Sequence, residues 1–267
     1  MKLKFLGFAL LAVCVCAVCC MCGSDSKTPD YEFPDGPDPD PDPQPGDYPA
    51  GLTVTEFADD LGGGKQCLGF VAVADLKANP KLRFNAVHLP QQKIPSRIHA
   101  EFASANRGTA CVTTNAGYWW AGNSLSLLVT GGAVKSIENQ TVTRNNQTVY
   151  PVRSSFGQMS SGKFETHWIY CVLDDGNKPY AFPSALDNDE RTNTYMSAPP
   201  TSKTPGAVLW TPQEAVGGGP MLVKEGKNVA VENYWKEVFD GGGIAGTSRQ
   251  PRTAIGVSQD GKEVYLM

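Results

Sequence analysis

Hydrophobic and polar residues alternate in short runs through most of the chain after residue 66, and Gly, Asn and Asp separate these runs. Short apolar runs between turn residues predict β-strands, and here they fall at residues 69–76, 82–89 and 112–114. Residues 127–134 and 254–266 each join two apolar runs across a glycine-containing turn, which predicts two hairpins.

Two stretches have a helical rather than an alternating pattern. Ile98, Phe102 and Ala105 recur at spacings of four and three, which predicts a helix over residues 96–106. Residues 232–239 predict a second, short helix. No repeat of 20–50 residues is visible, which excludes solenoids and propellers. The pattern therefore predicts an α+β domain built on a mixed, mostly antiparallel sheet with a few helices.

The N-terminal 22 residues have a different composition. Two lysines precede an apolar run over residues 5–21, which is the pattern of a secretion signal. Because the run ends in cysteines, it is typical of a bacterial lipoprotein signal, in which Cys22 receives the lipid and Cys19 or Cys20 are the alternatives. The other interpretation is a transmembrane anchor, for which the run is short. The intact mass of the membrane form distinguishes a cleaved, lipidated chain from an unprocessed one.

The segment after the signal, residues 23–50, is rich in proline and aspartate. Proline removes backbone donors and the aspartates repel one another, so an extended tether is predicted. It would hold the domain, residues 51–267, at the bacterial cell envelope, on the outer membrane or cell surface. This domain carries 20 basic and 19 acidic side chains. A nearly neutral body gives no electrostatic support for nucleic-acid binding.

The domain is poor in groups that bind metals or act as nucleophiles. It lacks the usual zinc, phosphate-loop and serine-hydrolase motifs, and none of its histidines has a second histidine at ligand spacing. We therefore expect no cofactor and no metal. Its three cysteines allow at most one internal disulfide. These residues are the histidines at 88, 99 and 167 and the cysteines at 67, 111 and 171.

Three consecutive glycines, Gly217, Gly218 and Gly219, precede the apolar residues 220–223. Glycine adopts positive φ without strain, so that successive backbone N–H groups can converge on an anion. The apolar residues predict a strand that would hold the glycines in place. The run is interpreted either as an anion-binding nest or as an ordinary flexible loop.

Two other segments place polar side chains at predicted strand ends. Asn115 follows the strand 112–114 and precedes Tyr118 and Trp119. An amide can form hydrogen bonds with sugar hydroxyls, and an aromatic ring can stack on a sugar ring. Arg252 precedes the last hairpin, and its planar guanidinium is suited to forming two parallel hydrogen bonds with a phosphate. The structural alternatives are an apolar patch over the core for the aromatic residues and a surface ion pair for the arginine.

Taken in order, four segments resemble motifs of the phosphodiester glycosidase family, and the resemblance spans about residues 66–267. It implies hydrolysis of a glycosyl phosphodiester, with release of an N-acetylglucosamine-like sugar from a phosphate-linked glycan. It also implies that Arg252 and the glycines hold the phosphodiester, that Asn115 binds a sugar hydroxyl, and that Tyr118, Trp119 and Thr253 contact the substrate. The four segments are residues 114–119, 126–134, 218–227 and 252–256.

The chain departs from the family pattern in two ways. Ala116 replaces a family glycine and Tyr118-Trp119 replaces a pair of phenylalanines, which is expected to change the sugar that fits. Family members also continue beyond the last hairpin, so the end at Met267 predicts a truncated member with an exposed sheet edge. The alternative function is a non-catalytic surface lipoprotein that binds glycans through Tyr118, Trp119 and Trp120.

Overall fold

The structure is a computed structural model of the 267-residue chain. The predicted lipidation residue Cys22 and nearly all of the predicted tether lie outside the residues it describes. No described helix is long and apolar enough to cross a membrane. The described residues are 9–14, 48–89, 93, 95–104, 108–120, 123–138, 140–240, 246 and 252–267.

The described residues form mostly short strands and two α-helices, as the alternating pattern predicts. The helices are α1 (Pro95–Ser104) and α2 (Ala230–Lys236). The strands are β1 (Ala9–Cys14), β2 (Leu52–Gly62), β3 (Lys65–Asp75), β4 (Phe84–Val87), β5 (Thr109–Thr114), β6 (Trp119–Trp120), β7 (Asn123–Ser124), β8 (Leu128–Thr130), β9 (Ala133–Ser136), β10 (Val142–Arg144), β11 (Gln147–Val149), β12 (Arg153–Gln158), β13 (Phe164–Val172), β14 (Lys178–Phe182), β15 (Val208–Leu209), β16 (Glu214–Gly217), β17 (Val223–Lys224), β18 (Lys227–Asn228), β19 (Ile255–Val257) and β20 (Glu263–Leu266).

The largest sheet is antiparallel and has the order β15-β14-β13-β12-β16-β8-β9. In its centre, Ser155 of β12 lies opposite His167 of β13 on one side and Gly217 of β16 on the other. Apolar clusters cover both faces of this sheet. The last five residues of β13 are therefore all buried, since a strand covered on both faces needs no polar face.

A second antiparallel sheet has the order β19-β20-β3-β2. The predicted hairpin at residues 254–266 forms as β19 and β20, and β20 also pairs with β3. The expectation that the last strand is an exposed sheet edge is therefore wrong, because β20 has a neighbour on both sides. Leu266 and Val264 of this strand enter the main apolar cluster.

The third sheet is parallel, in the order β4-β1-β5. Helix α1 connects β4 to β5, as a parallel connection requires, and its residues Ile98 and Phe102 pack on the ends of both strands. The helix begins at Pro95, a residue well suited to the first turn because its missing N–H has no helical partner there. Strand β1 lies within the predicted signal segment, so that cleavage at Cys22 would leave β4 and β5 without their shared neighbour.

The mostly antiparallel architecture with two helices agrees with the predicted α+β class. Helix α2 begins two residues earlier and ends three residues earlier than the predicted stretch 232–239. The predicted strand at residues 220–223 is wrong, because only Val223 is in a strand there and a cis peptide bond joins Gly219 to Pro220. The three cysteines of the domain are free thiols.

Candidate functional site

The segment after β5 passes directly over the end of β16. Gly117 has φ 70°, and a Cβ atom at this position would lie 3.0 Å from Ser126 Cβ and 3.3 Å from the carbonyl oxygen of Gly217. A glycine therefore allows both the positive φ and the close approach. The next backbone amide, that of Tyr118, donates to Ser126 Oγ at 2.7 Å. These contacts fix Tyr118 beside the glycine run.

Tyr118 also contacts the end of the glycine run. Its hydroxyl donates to the carbonyl oxygen of Gly219 at 2.6 Å, and its ring centroid lies 5.5 Å from that of Phe239. Burial raises the pKa of Tyr118, while the charges of Arg153 and Arg252 act in the opposite direction. The structure thus brings Tyr118, Gly219 and Arg252, three predicted site residues, into one neighbourhood.

The glycine run does not form the predicted anion-binding nest. The amide of Gly217 donates to Leu127 O at 2.7 Å, and that of Gly218 donates to Ser154 O at 2.9 Å. Two of the three donors are therefore used by neighbouring backbone, and only the Gly219 amide has no hydrogen bond within the described part of the chain. The backbone of Gly217 and Gly218 would therefore border a bound substrate, but it would not donate hydrogen bonds to a phosphate.

The last two glycines of the run differ sharply in the space around them. A Cβ at Gly219, where φ is 120°, would lie 2.6 Å from Glu237 Oε2 and 2.7 Å from Phe239, whereas a Cβ at Gly218 meets nothing within 4 Å. We expect Gly219→Ala to lower the free energy of unfolding by about 2–3 kcal/mol. Gly218→Ala is the matched control and should change it by less than about 0.5 kcal/mol. Urea denaturation of both variants measures the difference, and equal effects would contradict this account.

The other predicted site residues lie on the segments that flank Tyr118 and the last hairpin. Arg252 and Thr253 are exposed and precede β19, and Asn115 is half-buried directly after β5. Trp119 belongs to the short strand β6, and its Nε1 is buried with no hydrogen-bond partner among the described residues. The neighbouring Trp120 is 59% exposed. Its accessible ring is available for stacking on a sugar.

Arg153 is a site residue that the sequence interpretation missed. It begins β12, and its Nε and Nη2 donate to the carbonyl oxygens of Glu237 and Val238 at 3.3 and 3.1 Å. Its guanidinium carbon lies 4.4 Å from the centroid of the Phe239 ring. Its Nη1 has no hydrogen bond within the described ranges. Burial lowers the pKa of Arg153, yet an arginine stays charged at neutral pH.

Glu237 is a second residue that the sequence interpretation missed. Its side chain is fully buried and accepts four hydrogen bonds. Oε2 accepts from Ser154 N and Oγ at 2.8 and 3.0 Å, and Oε1 accepts from Met221 N at 2.8 Å and Trp168 Nε1 at 3.1 Å. Burial raises the pKa of Glu237 to about 7, although these donors act against the shift. This carboxyl joins β12, β13 and the segment after Pro220.

The turn after Glu237 is held by two arginines. Val238 has φ 61°, a strained value for a β-branched residue. Its carbonyl oxygen accepts from Arg153 Nη2 at 3.1 Å and from Arg144 Nη2 at 3.2 Å. Arg144 is itself fixed by Glu190, at 2.7 Å from Nε to Oε1. The strained turn is thus determined by its surroundings, and it positions the Phe239 ring between Arg153 and Tyr118.

Of these side chains, Arg153 also lines a narrow cleft at the junction of β12, β16 and the segment before β8, which in this conformation has no room for a water molecule. The cleft combines backbone of the glycine run with hydroxyl groups, one arginine and one buried carboxyl group. Among the described residues, no group of His, Cys, Asp and Glu has an arrangement that would hold a metal ion. The cleft is lined by Leu125, Ser126, Leu127, Glu138, Arg153, Ser154, Ser155, Gly217 and Gly218.

The comparisons with known proteins bear on the part of the chain that contains Gly217–Gly219, Glu237 and Arg252. Residues 172–267 match the phosphodiester glycosidase family. The match confirms, for this segment, the family resemblance inferred from the sequence. Tyr118 and Arg153 precede the segment matched by the phosphodiester glycosidase model. No curated protein and no solved structure gives a significant match.

Sequence patterns did contain weak signals for the missed residues. Arg153 stands at the start of an otherwise uncharged strand-like run, whereas Glu237 follows Lys236 directly and precedes the apolar pair Val238-Phe239. Charged residues are seldom buried unless they are partnered, so a lone charge within an apolar run is a candidate for a specific contact. Neither signal reveals the partner, since Arg153 and Val238 are 85 residues apart.

Proposed function

We propose that the protein hydrolyses a glycosyl phosphodiester and releases an N-acetylglucosamine-like sugar from a phosphate-linked glycan. The observation that carries the proposal is that two cations, Arg153 and Arg252, both lie close enough to Tyr118 for their charges to act to lower its pKa. The domain around them is nearly neutral. The family match over residues 172–267, which includes Arg252, supports the same class of reaction.

The proposed roles follow from the chemistry of the groups. A phosphodiester is an anion with oxygen acceptors only, and guanidinium groups bind such oxygens with charge-assisted, often bidentate hydrogen bonds. In the reaction, the bond between the anomeric carbon and the phosphate oxygen breaks and water supplies the new hydroxyl. Charge then grows on the departing phosphate, where Arg153 and Arg252 would stabilise it.

The sugar would lie against the segment after β5. Trp119 and the exposed Trp120 offer aromatic surface, and Asn115 offers an amide for a hydroxyl group. The amides of Gly217 and Gly218 have no part in this mechanism because backbone carbonyls already use them. We retain as a proposal that lipidation of Cys22 places this site at the cell envelope.

The test is incubation of the purified protein with a methyl sugar-1-phosphodiester, followed by detection of free sugar and methyl phosphate. We expect release of both products. The exposure of Trp120 favours a second candidate, a non-catalytic glycan-binding protein. That protein would retain an oligosaccharide and form no product, so binding without turnover would replace the proposed activity with the second one.

A further inference from the structure

The parallel sheet is held together by its middle strand. Strand β1 lies between β4 and β5 and runs parallel to both. Its residues Leu11–Cys14 lie opposite Phe84–Val87, and its other edge pairs with Thr109–Thr114. Within the described ranges, neither β4 nor β5 pairs with any other strand. Both outer strands therefore depend on β1 for their ladder hydrogen bonds.

Apolar clusters cover this sheet on both faces. Phe84 and Ala86 of β4 belong to the main cluster, whereas Val87 and Ala110 belong to the cluster that contains the buried residues of α1. Two strands that flank a third lie about 10 Å apart. If β1 left, two rows of unpaired backbone groups would face this gap beside buried side chains, which is costly. The gap therefore has the width and the hydrogen-bonding groups to hold one strand.

The surroundings of the gap select the kind of strand. A parallel strand that is covered on both faces is typically a continuous apolar run, and residues 9–14 have the sequence Ala-Leu-Leu-Ala-Val-Cys. The segment after the signal, residues 23–50, is a poor replacement, because its prolines lack the N–H that a ladder requires. The gap therefore favours an extended apolar strand of six residues, the length of β1, that runs parallel to β4.

Strand β1 also supports the start of the candidate site. Its residue Val13 lies opposite Thr114, the last residue of β5. Asn115 follows directly, and Gly117 and Tyr118 lie in the same segment. A strand end that loses its ladder partner opens more readily. The pairing of β1 with β5 therefore restrains the segment that carries Asn115 and Tyr118.

We propose that the gap between β4 and β5 is a binding site for a parallel apolar strand, and that residues 9–14 occupy it in the full chain. Removal of the segment before Cys22 would open the site and loosen β4, β5 and the segment after Thr114. A separate apolar strand of the same pattern would close the site again by strand addition. The inference does not depend on the proposed glycosidase activity.

The first experiment measures hydrogen exchange in the full chain, purified in detergent, for the wild type and Ala12→Pro. Ala12 pairs with Asn85 and Thr113, so a proline there removes a ladder donor in the middle of the sheet. We expect the backbone amides of β4 and β5 to exchange at least about tenfold faster, as the loss of one ladder hydrogen bond implies. Ala17→Pro, in the same apolar run but outside β1, is the matched control and should leave the exchange unchanged. Equal exchange in the wild type and Ala12→Pro would overturn the inference.

The second experiment decides the question even if Ala12→Pro does not fold. A protease recognition sequence is inserted between Asp35 and Gly36, in the proline-rich segment, and the folded full chain is cut there. We expect the N-terminal fragment to stay bound to the affinity-tagged body. A lysine-flanked peptide of residues 9–14 with Cys14→Ser should displace the fragment, and the same peptide with Ala12→Pro should not. Equal effects of the two peptides, or release of the fragment with unchanged hydrogen exchange in β4 and β5, would refute the strand site.

Discussion

Replacing Arg252 with alanine is expected to lower kcat/KM for a sugar-1-phosphodiester by about 10²- to 10³-fold, the usual effect of removing a group that stabilises charge in the transition state. Arg252 is exposed, and its charge acts to lower the pKa of Tyr118, so that its guanidinium lies in the neighbourhood of that side chain. Because the side chain is at the surface, the free energy of unfolding should change by less than about 0.5 kcal/mol.

Two further variants separate charge from geometry. Arg252→Lys keeps the positive charge and loses the planar fork, so it should recover only part of the lost activity. Arg83→Ala removes another exposed arginine, which bonds the nearby carbonyl oxygens of Pro80 and Leu82, and should leave kcat/KM unchanged. Steady-state kinetics on the same diester measures all three. Wild-type turnover in Arg252→Ala would refute the phosphate role of this residue.

The elements that the sequence predicts well are those determined by neighbouring residues. The hairpin of β8 and β9 forms at Gly131-Gly132, where both glycines have positive φ, because turn residues between two apolar runs act within a few positions. Helix α1 follows from the spacing of Ile98 and Phe102, which places both on the buried face. Such local signals need no knowledge of the rest of the chain.

The candidate site was only partly predictable, because its contacts join residues that are far apart in the sequence. The glycine run signals a permissive backbone, and Gly219 does have positive φ. However, the partners of Gly217 N and Gly218 N are Leu127 and Ser154, which lie far away in sequence. No pattern within the run indicates that its amides are already used. Glycine content therefore predicts what a backbone can do, and the sheet register decides what it does.

The buried charges show the same limit more strongly. Arg252 lies in a family motif, which predicts a phosphate role for it, whereas Arg153, Glu138 and Glu237 lie in none of the four motif segments. Each of these three gains its partners from residues that are far away in the sequence: Arg153 from the turn after α2, Glu237 from β12 and β13, and Glu138 from β13. What distinguishes these side chains is that they are buried and that their polar atoms have either several hydrogen-bond partners or none among the described residues. Both properties arise only in the folded chain.

Replacing Glu237 with alanine is expected to lower the free energy of unfolding by about 3–5 kcal/mol, the range found when one partner of a buried polar network is removed. The change would leave the amides of Ser154 and Met221 and the indole N–H of Trp168 buried without their acceptor. Glu232→Ala is the matched control on α2. It removes an exposed carboxylate paired with Lys236 and should cost less than about 1 kcal/mol.

Glu237→Gln tests the electrostatic part of the same network. Burial raises the pKa of Glu237 from its ordinary 4.5 to about 7, so the folded state holds a proton that the unfolded chain releases at lower pH. Its contribution to stability is complete below about pH 4.5, falls by at most ~1.4 kcal/mol per pH unit as pH rises towards 7, and is constant above that. Glutamine cannot ionise and should remove this slope. Urea denaturation at several pH values measures it, and a slope that persists in Glu237→Gln would assign the titration to another group.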